Sequence, residues 1–118
     1  MAITILLVED EFLLREMARE DLEDLGHVAH CAEDYDKAIA ALNGDAAFDV
    51  LITDIRIPGV ADGWELARVA RARRPDLGVI YISGYSSDLP QLVEGGIFLK
   101  KPYRLAEMEQ ALMQVGRG

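Results

Sequence analysis

A parallel α/β sheet with helices on both faces is the fold this sequence predicts. Three observations carry it. Short apolar runs rich in β-branched residues alternate with longer amphipathic stretches along the whole chain. The connections between them are short, as in successive β-then-α units wound in one direction. Four of the apolar runs end in a carboxylate, a hydroxyl or an ammonium: Ile3–Val8 in Glu9-Asp10, Val50–Thr53 in Asp54, Val79–Ile82 in Ser83, and Ile97–Leu99 in Lys100-Lys101-Pro102.

The elements follow in order. Ile3–Val8 is a continuous apolar run, as expected of a strand covered on both faces. Glu11 to Leu25 reads as a helix with Leu14, Ala18, Leu22 and Leu25 on one face, stopped by Gly26. Val28–Ala32 is a weak strand. Asp34 can cap a second helix with Ala38, Ile39 and Leu42 inside, ended by Asn43-Gly44. Phe48–Thr53 is a buried strand, Pro58-Gly59 a loop, and Asp62 the cap of a third helix running to about Arg74, before Pro75. Leu77–Ile82 is the fourth strand. Gly84 to Gly96 leaves room for a turn or two of helix around Leu89–Glu94. Ile97–Leu99 is the fifth strand. Ala106 to Val115 is the last helix, with Ala106, Met108, Leu112 and Val115 inside. The flavodoxin-like order 2-1-3-4-5 closes such a sheet and makes Glu9, Asp10 and Asp54 neighbours at the switch point, where ligands bind.

Length and composition bound the function. With 118 residues, 51% hydrophobic and 28% charged, the chain is expected to form one domain, residues 1–118, with a real core. A formal charge of −9 repels DNA and anionic membranes, which argues against a direct nucleic-acid or membrane role. No run approaches membrane-spanning length, and Met1-Ala2 leads straight into a strand with no signal-peptide pattern. A single cysteine, Cys31, fits a reducing cytoplasm and reads as a small buried residue.

Three crowded carboxylates raise one another's pKa unless a cation intervenes. A hard ion such as Mg²⁺ suits carboxylates, a backbone carbonyl and a phosphate oxygen. Asp54 is the candidate nucleophile, since a carboxylate is already ionised near neutral pH. Lys101 can pair with it, and Ser83 can donate to a phosphoryl oxygen. Phosphoryl transfer asks mainly for such positioning and charge neutralisation. Each residue alone has a plainer role: Glu9-Asp10-Glu11 as an acidic helix start, Asp54 as a turn aspartate, Ser83 as a loop serine, Lys101 as a solvated lysine. Their joint placement at successive strand ends sets those roles aside for Glu9, Asp10, Asp54, Ser83 and Lys101, while Glu11 keeps the helix-start role.

Leu7-Val8-Glu9-Asp10-Glu11, Thr53-Asp54-Ile55-Arg56-Ile57-Pro58, Asp62-Gly63, Ile82-Ser83-Gly84 and Lys101-Pro102, in this order and spacing, resemble the response-regulator receiver domains of bacterial two-component signalling over essentially the whole chain. The resemblance implies phosphorylation of Asp54 by a histidine kinase or a histidine phosphotransfer protein. It implies Mg²⁺ (or Mn²⁺) held by Asp10, Asp54 and the Arg56 backbone carbonyl, with Glu9 contributing directly or through water. Ser83 matches the family's switch hydroxyl and Lys101 its lysine; the Lys101-Pro102 bond is often cis in receivers, and Lys100 should face away. Phe98 matches the switch aromatic, its plainer role being a strand aromatic packed on the last helix. Arg56 and Tyr85 match positions that tune phosphoryl hydrolysis, their plainer role being exposed loop side chains. The implied domain is a signalling phosphoacceptor, not a turnover enzyme, acting through a downstream protein target.

Two departures stand out. The loop Pro58-Gly59-Val60-Ala61-Asp62-Gly63 is one residue longer than usual, and the Ser83–Lys101 interval is shorter by about one helical turn. With Ser83-Gly84-Tyr85, the shortening resembles a receiver subgroup often paired with histidine kinases of the HWE or hybrid type. Rival readings fit less well. A pseudo-receiver scaffold would have lost a ligand, and none is lost. An aspartyl phosphatase of the haloacid-dehalogenase type would carry Asp where Arg56 stands. In a flavodoxin, Glu9 and Asp10 would repel the cofactor's phosphate.

Overall fold

Strands β1 (Thr4–Val8), β2 (Val28–Ala32), β3 (Val50–Asp54), β4 (Gly78–Ser83) and β5 (Ile97–Lys100) pair in parallel in the order β2-β1-β3-β4-β5. The order is the one expected from the sequence. It comes from a computed structural model that describes residues 2–84 and 91–116. The helices among those residues are α1 (Phe12–Asp24), α2 (Tyr35–Leu42), α3 (Gly63–Arg73) and α4 (Leu105–Val115).

Side-chain alternation divides the core in two. Leu6, Val8, Leu51, Val79 and Tyr81 pack with α2 and α3 on one face of the sheet. Ile5, Leu7, Val50, Ile52, Ile80 and Ile82 pack with Leu22 of α1 and Met108, Ala111 and Leu112 of α4 on the other. Burial on both faces explains why the central strands read as unbroken apolar runs. Asp34 and Asp62 cap α2 and α3, accepting the amides of Lys37 at 2.8 Å and Glu65 at 2.9 Å. Gly26 ends α1 with φ of 93°, in the left-handed region open to glycine.

Four expectations need correction. Ala106 is exposed, and α4 turns Met108, Ala111 and Leu112 inward instead. In α1 only Leu22 is fully buried, while Leu14 remains 40% exposed. The amino-terminal half of α1 borders an open groove beside Lys101, Pro102 and Tyr103, so nothing among the described residues closes over Leu14. Cys31 is exposed, because β2 is an edge strand and only its last residue is buried. Between β4 and β5, Leu89 and Pro90 lie outside the described residues, and Gln91–Glu94 form no helix. There the Val93 amide donates to the Tyr81 hydroxyl at 2.9 Å rather than to a helical carbonyl, and Gly95 turns with φ of 76°.

Candidate functional site

The sheet register brings the polar strand ends together. Val8 pairs with Thr53, so Glu9 and Asp54 follow side by side. Asp54 pairs with Ile82, and Ser83 with Lys100. The Lys101 amide then donates to the Ser83 carbonyl at 2.8 Å, placing the lysine one step beyond the ladder. The Lys101-Pro102 bond is cis, as the resemblance implies. Lys100 is exposed, as alternation requires.

Lys101 is the hub. Its Nζ lies 2.8 Å from Asp54 Oδ2 and 2.9 Å from Glu9 Oε1. Burial pulls the ammonium down, but the hydrogen bonds to Asp54 and Glu9 outweigh it and hold Lys101 above its ordinary value. Burial pushes the Glu9 carboxyl up, partly offset by its bonds to Lys101 and to the Glu11 amide. That amide reaches Glu9 Oε2 at 3.2 Å, and the Arg56 amide donates to Asp54 Oδ1 at 3.3 Å.

Glu9, Asp10 and Asp54 each offer a carboxylate oxygen, and the three oxygens lie within 4.8 Å of one another. Glu9 is buried, Asp54 half-buried and Asp10 exposed, so the cluster opens outward on the Asp10 side. Clustered hard oxygen donors fit Mg²⁺. A groove of about 500 Å³ adjoins them, lined by Asp10, Arg56 and the loop from Ile57 to Asp62. Gly59, with φ of 124°, packs in that loop against Tyr35, whose amide donates to the Pro58 carbonyl at 2.9 Å.

These contacts unite Glu9, Asp10, Asp54 and Lys101. Ser83 is buried at the end of β4, tied to Lys101 through the backbone. Arg56 is exposed at the rim. Phe98 is half-buried and joins the cluster of Tyr81 and Trp64 on the α2–α3 face, not α4. Tyr85 lies outside the described residues. One residue that sequence reasoning passed over is Arg15, which donates to the Glu9 carbonyl at 3.0 Å. Its signal was a cation in the amino-terminal turns of α1, where the helix dipole disfavours one.

Residues 5–113 match the response regulator receiver domain. The chain belongs to that family. As a receiver domain of two-component systems, it is a signalling domain; receiver domains pair with histidine kinases, and phosphorylation and Mg²⁺ binding at an acidic pocket are typical of them. It is 32% identical to the sensor kinase CckA of Brucella abortus (strain 2308), over 95% of this chain and 12% of that protein. The chain spans less than half the length of several curated relatives it matches. A response regulator receiver protein from Sinorhizobium medicae WSM419 superposes with a TM-score of 0.87 at 35% identity, covering 99% of this chain and 96% of that one. The response regulator TrrA of Thermotoga maritima, solved in complex with Mg²⁺ and beryllofluoride, superposes with a TM-score of 0.83 at 28% identity, covering 98% and 99%. No helix among the described residues of this receiver is long and apolar enough to cross a membrane.

Proposed function

We propose that Asp54 is the phosphoryl acceptor, and that Glu9, Asp10, Asp54 and the Arg56 backbone carbonyl hold Mg²⁺ beside it. The observation that carries this reading is the Asp54 carboxylate itself. It ends β3 within a three-carboxylate cluster and is bridged by Lys101 to Glu9. An Asp54 oxygen attacks the phosphorus of a phosphohistidine. The O–P bond forms as the N–P bond breaks, and the imidazole keeps the electron pair and takes a proton. Bound Mg²⁺ supplies positive charge against the repulsion between the carboxylate and the phosphoryl oxygens.

Lys101 supplies a second charge already held at 2.8 Å from Asp54. Ser83 donates its hydroxyl to a phosphoryl oxygen, and Phe98 turns inward behind it as the readout. Arg56, at the rim, tunes water access, and Tyr85 is assigned the same role from its sequence position. The donor is a histidine kinase or a histidine phosphotransfer protein, and the output is a downstream protein target. The domain does not turn over a separate substrate: Arg56 occupies the position where an aspartyl phosphatase carries a second acid. Unpaired Cys31 supports a cytoplasmic location.

The test is beryllofluoride or a small phosphodonor added with Mg²⁺, followed by amide NMR shifts. We expect a response that requires Mg²⁺ and is lost in Asp54→Asn. A response surviving in Asp54→Asn rules out this acceptor, and none in the wild type favours a pseudo-receiver scaffold. Ser83→Ala should keep Mg²⁺ binding and lose the coupled shift at Phe98.

A further inference from the structure

Arg15 has no carboxylate within ion-pair distance among the described residues. Its Nη1 donates to the Glu9 carbonyl oxygen at 3.0 Å and reaches the Asp10 carbonyl oxygen at 3.5 Å. The guanidinium also lies 5.5 Å from the centroid of the Phe12 ring. These carbonyls belong to the two residues that β1 delivers to the carboxylate cluster. The Glu9 amide is held from the other side by the Ala32 carbonyl of β2, at 3.1 Å. Arg15 thus grips the corner just where the strand ladder stops.

We infer that Arg15 is a positioning residue for the metal-and-acceptor site, clamping the β1–α1 corner so that Glu9 and Asp10 face Asp54. The inference rests on the reading of Glu9, Asp10 and Asp54 given above. Two effects of opposite sign compete at this residue. A guanidinium near the strand end repels an arriving cation, so removing its charge alone would tighten Mg²⁺ binding. A clamp pre-aligns the donors, so removing it weakens binding. The geometry favours the clamp, because both bonds go to backbone carbonyls and fix backbone direction.

The experiment is a Mg²⁺ titration of wild type, Arg15→Met and Arg15→Lys, read by the Asp10 and Asp54 amide shifts, with carbonyl ¹³C shifts of Glu9 and Asp10 recorded before metal is added. Arg15→Met keeps the aliphatic stem and loses the donors; its Mg²⁺ Kd should rise about tenfold, the scale seen when an outer partner of a metal ligand is lost. Arg15→Lys, which keeps the charge and one donor nitrogen on a shorter side chain, should fall between. Arg19→Met is the control: among the described residues Arg19 forms ion pairs with Glu16 and Glu23 alone, and its loss should leave the Kd unchanged. An Arg15→Met Kd equal to or tighter than wild type overturns the inference. So do unchanged Glu9 and Asp10 carbonyl shifts in the metal-free variant. If the wild type takes up no Mg²⁺, the reading of the carboxylates fails instead, and the metal-free carbonyl shifts still decide the clamp. Should Arg15→Met fail to fold, Arg15→Gln, too short to reach, replaces it.

Discussion

The backbone of Gly63 lies directly against the backbone of Asp54. A Cβ at residue 63 would stand 2.3 Å from the Asp54 carbonyl oxygen and 2.8 Å from Ile55 Cα. The Gly63 amide also donates to the Ile55 carbonyl at 2.7 Å, drawing the start of α3 onto the end of β3. Gly63→Ala must therefore push the acceptor's own backbone aside. We expect a loss of about 1–3 kcal/mol in urea unfolding, the usual cost of overpacking. Asp54 should move with it and Mg²⁺ affinity should fall. Gly44→Ala is the comparison, since its Cβ meets nothing nearer than 3.4 Å and should cost little.

Asp62 holds the same corner from the other side. It caps α3 through the Glu65 amide, so Asp62→Ala should cost about 1 kcal/mol in denaturant unfolding. Asp34→Ala removes an equivalent cap from α2, whose first residue Tyr35 meets the Pro58–Gly59 loop rather than Asp54 itself, at similar cost. The two should differ in NMR: only Asp62→Ala should shift the Asp54 amide.

Lys101 separates two carboxylates that otherwise face each other with too little water. Lys101→Met leaves Glu9, 4% exposed, and Asp54, 13% exposed, without their shared cation. Metal-free stability should fall by about 1–3 kcal/mol, the cost of unpairing buried groups. Because Mg²⁺ can replace the missing charge, it should raise the melting temperature more in Lys101→Met than in wild type. A smaller Mg²⁺ effect in the variant would contradict this account.

Tyr81 predicts a pH dependence. Burial pushes its phenol above the ordinary value, partly offset by the Val93 amide. A raised folded-state pKa means its stabilisation is complete below the unfolded value, about 10, and is lost as pH rises through the folded value. Tyr81→Phe orphans the Val93 amide and should cost about 1 kcal/mol at neutral pH. Its stability should then decline less steeply than wild type above about pH 10. Parallel urea curves at neutral and alkaline pH decide between these slopes, and equal slopes would remove Tyr81 from the account.

The sheet and the strand ends were legible because buried parallel strands leave unbroken apolar runs, and because chemistry in this architecture gathers where those runs stop. Glu9, Asp10, Asp54, Ser83 and Lys101 could be named from that rule alone. Helix periodicity, in contrast, says which residues share a face but not whether anything covers it. Leu14 has the right spacing and faces an open groove. Ala106 fits the period, yet α4 is rotated to bury Met108, Ala111 and Leu112. Cys31 looked like a core residue because edge position is invisible until the strand order is known. Arg15 was hidden for another reason. Its acceptors are main-chain carbonyls, which every residue has and no sequence pattern marks.

The hydrogen bond from the Lys101 amide to the Ser83 carbonyl has a consequence for how the chain can vary. Ser83 is held in the β4–β5 ladder opposite Lys100 and Lys101 one step beyond by that bond, not by the connection that leaves one strand and returns to the other. That connection can shorten or lengthen without changing the distance between the hydroxyl and the ammonium. Length variation beyond Tyr85 leaves that pairing in place, so loop grafts between Ser86 and Gly96 offer a place to change what the domain talks to while leaving its acceptor intact.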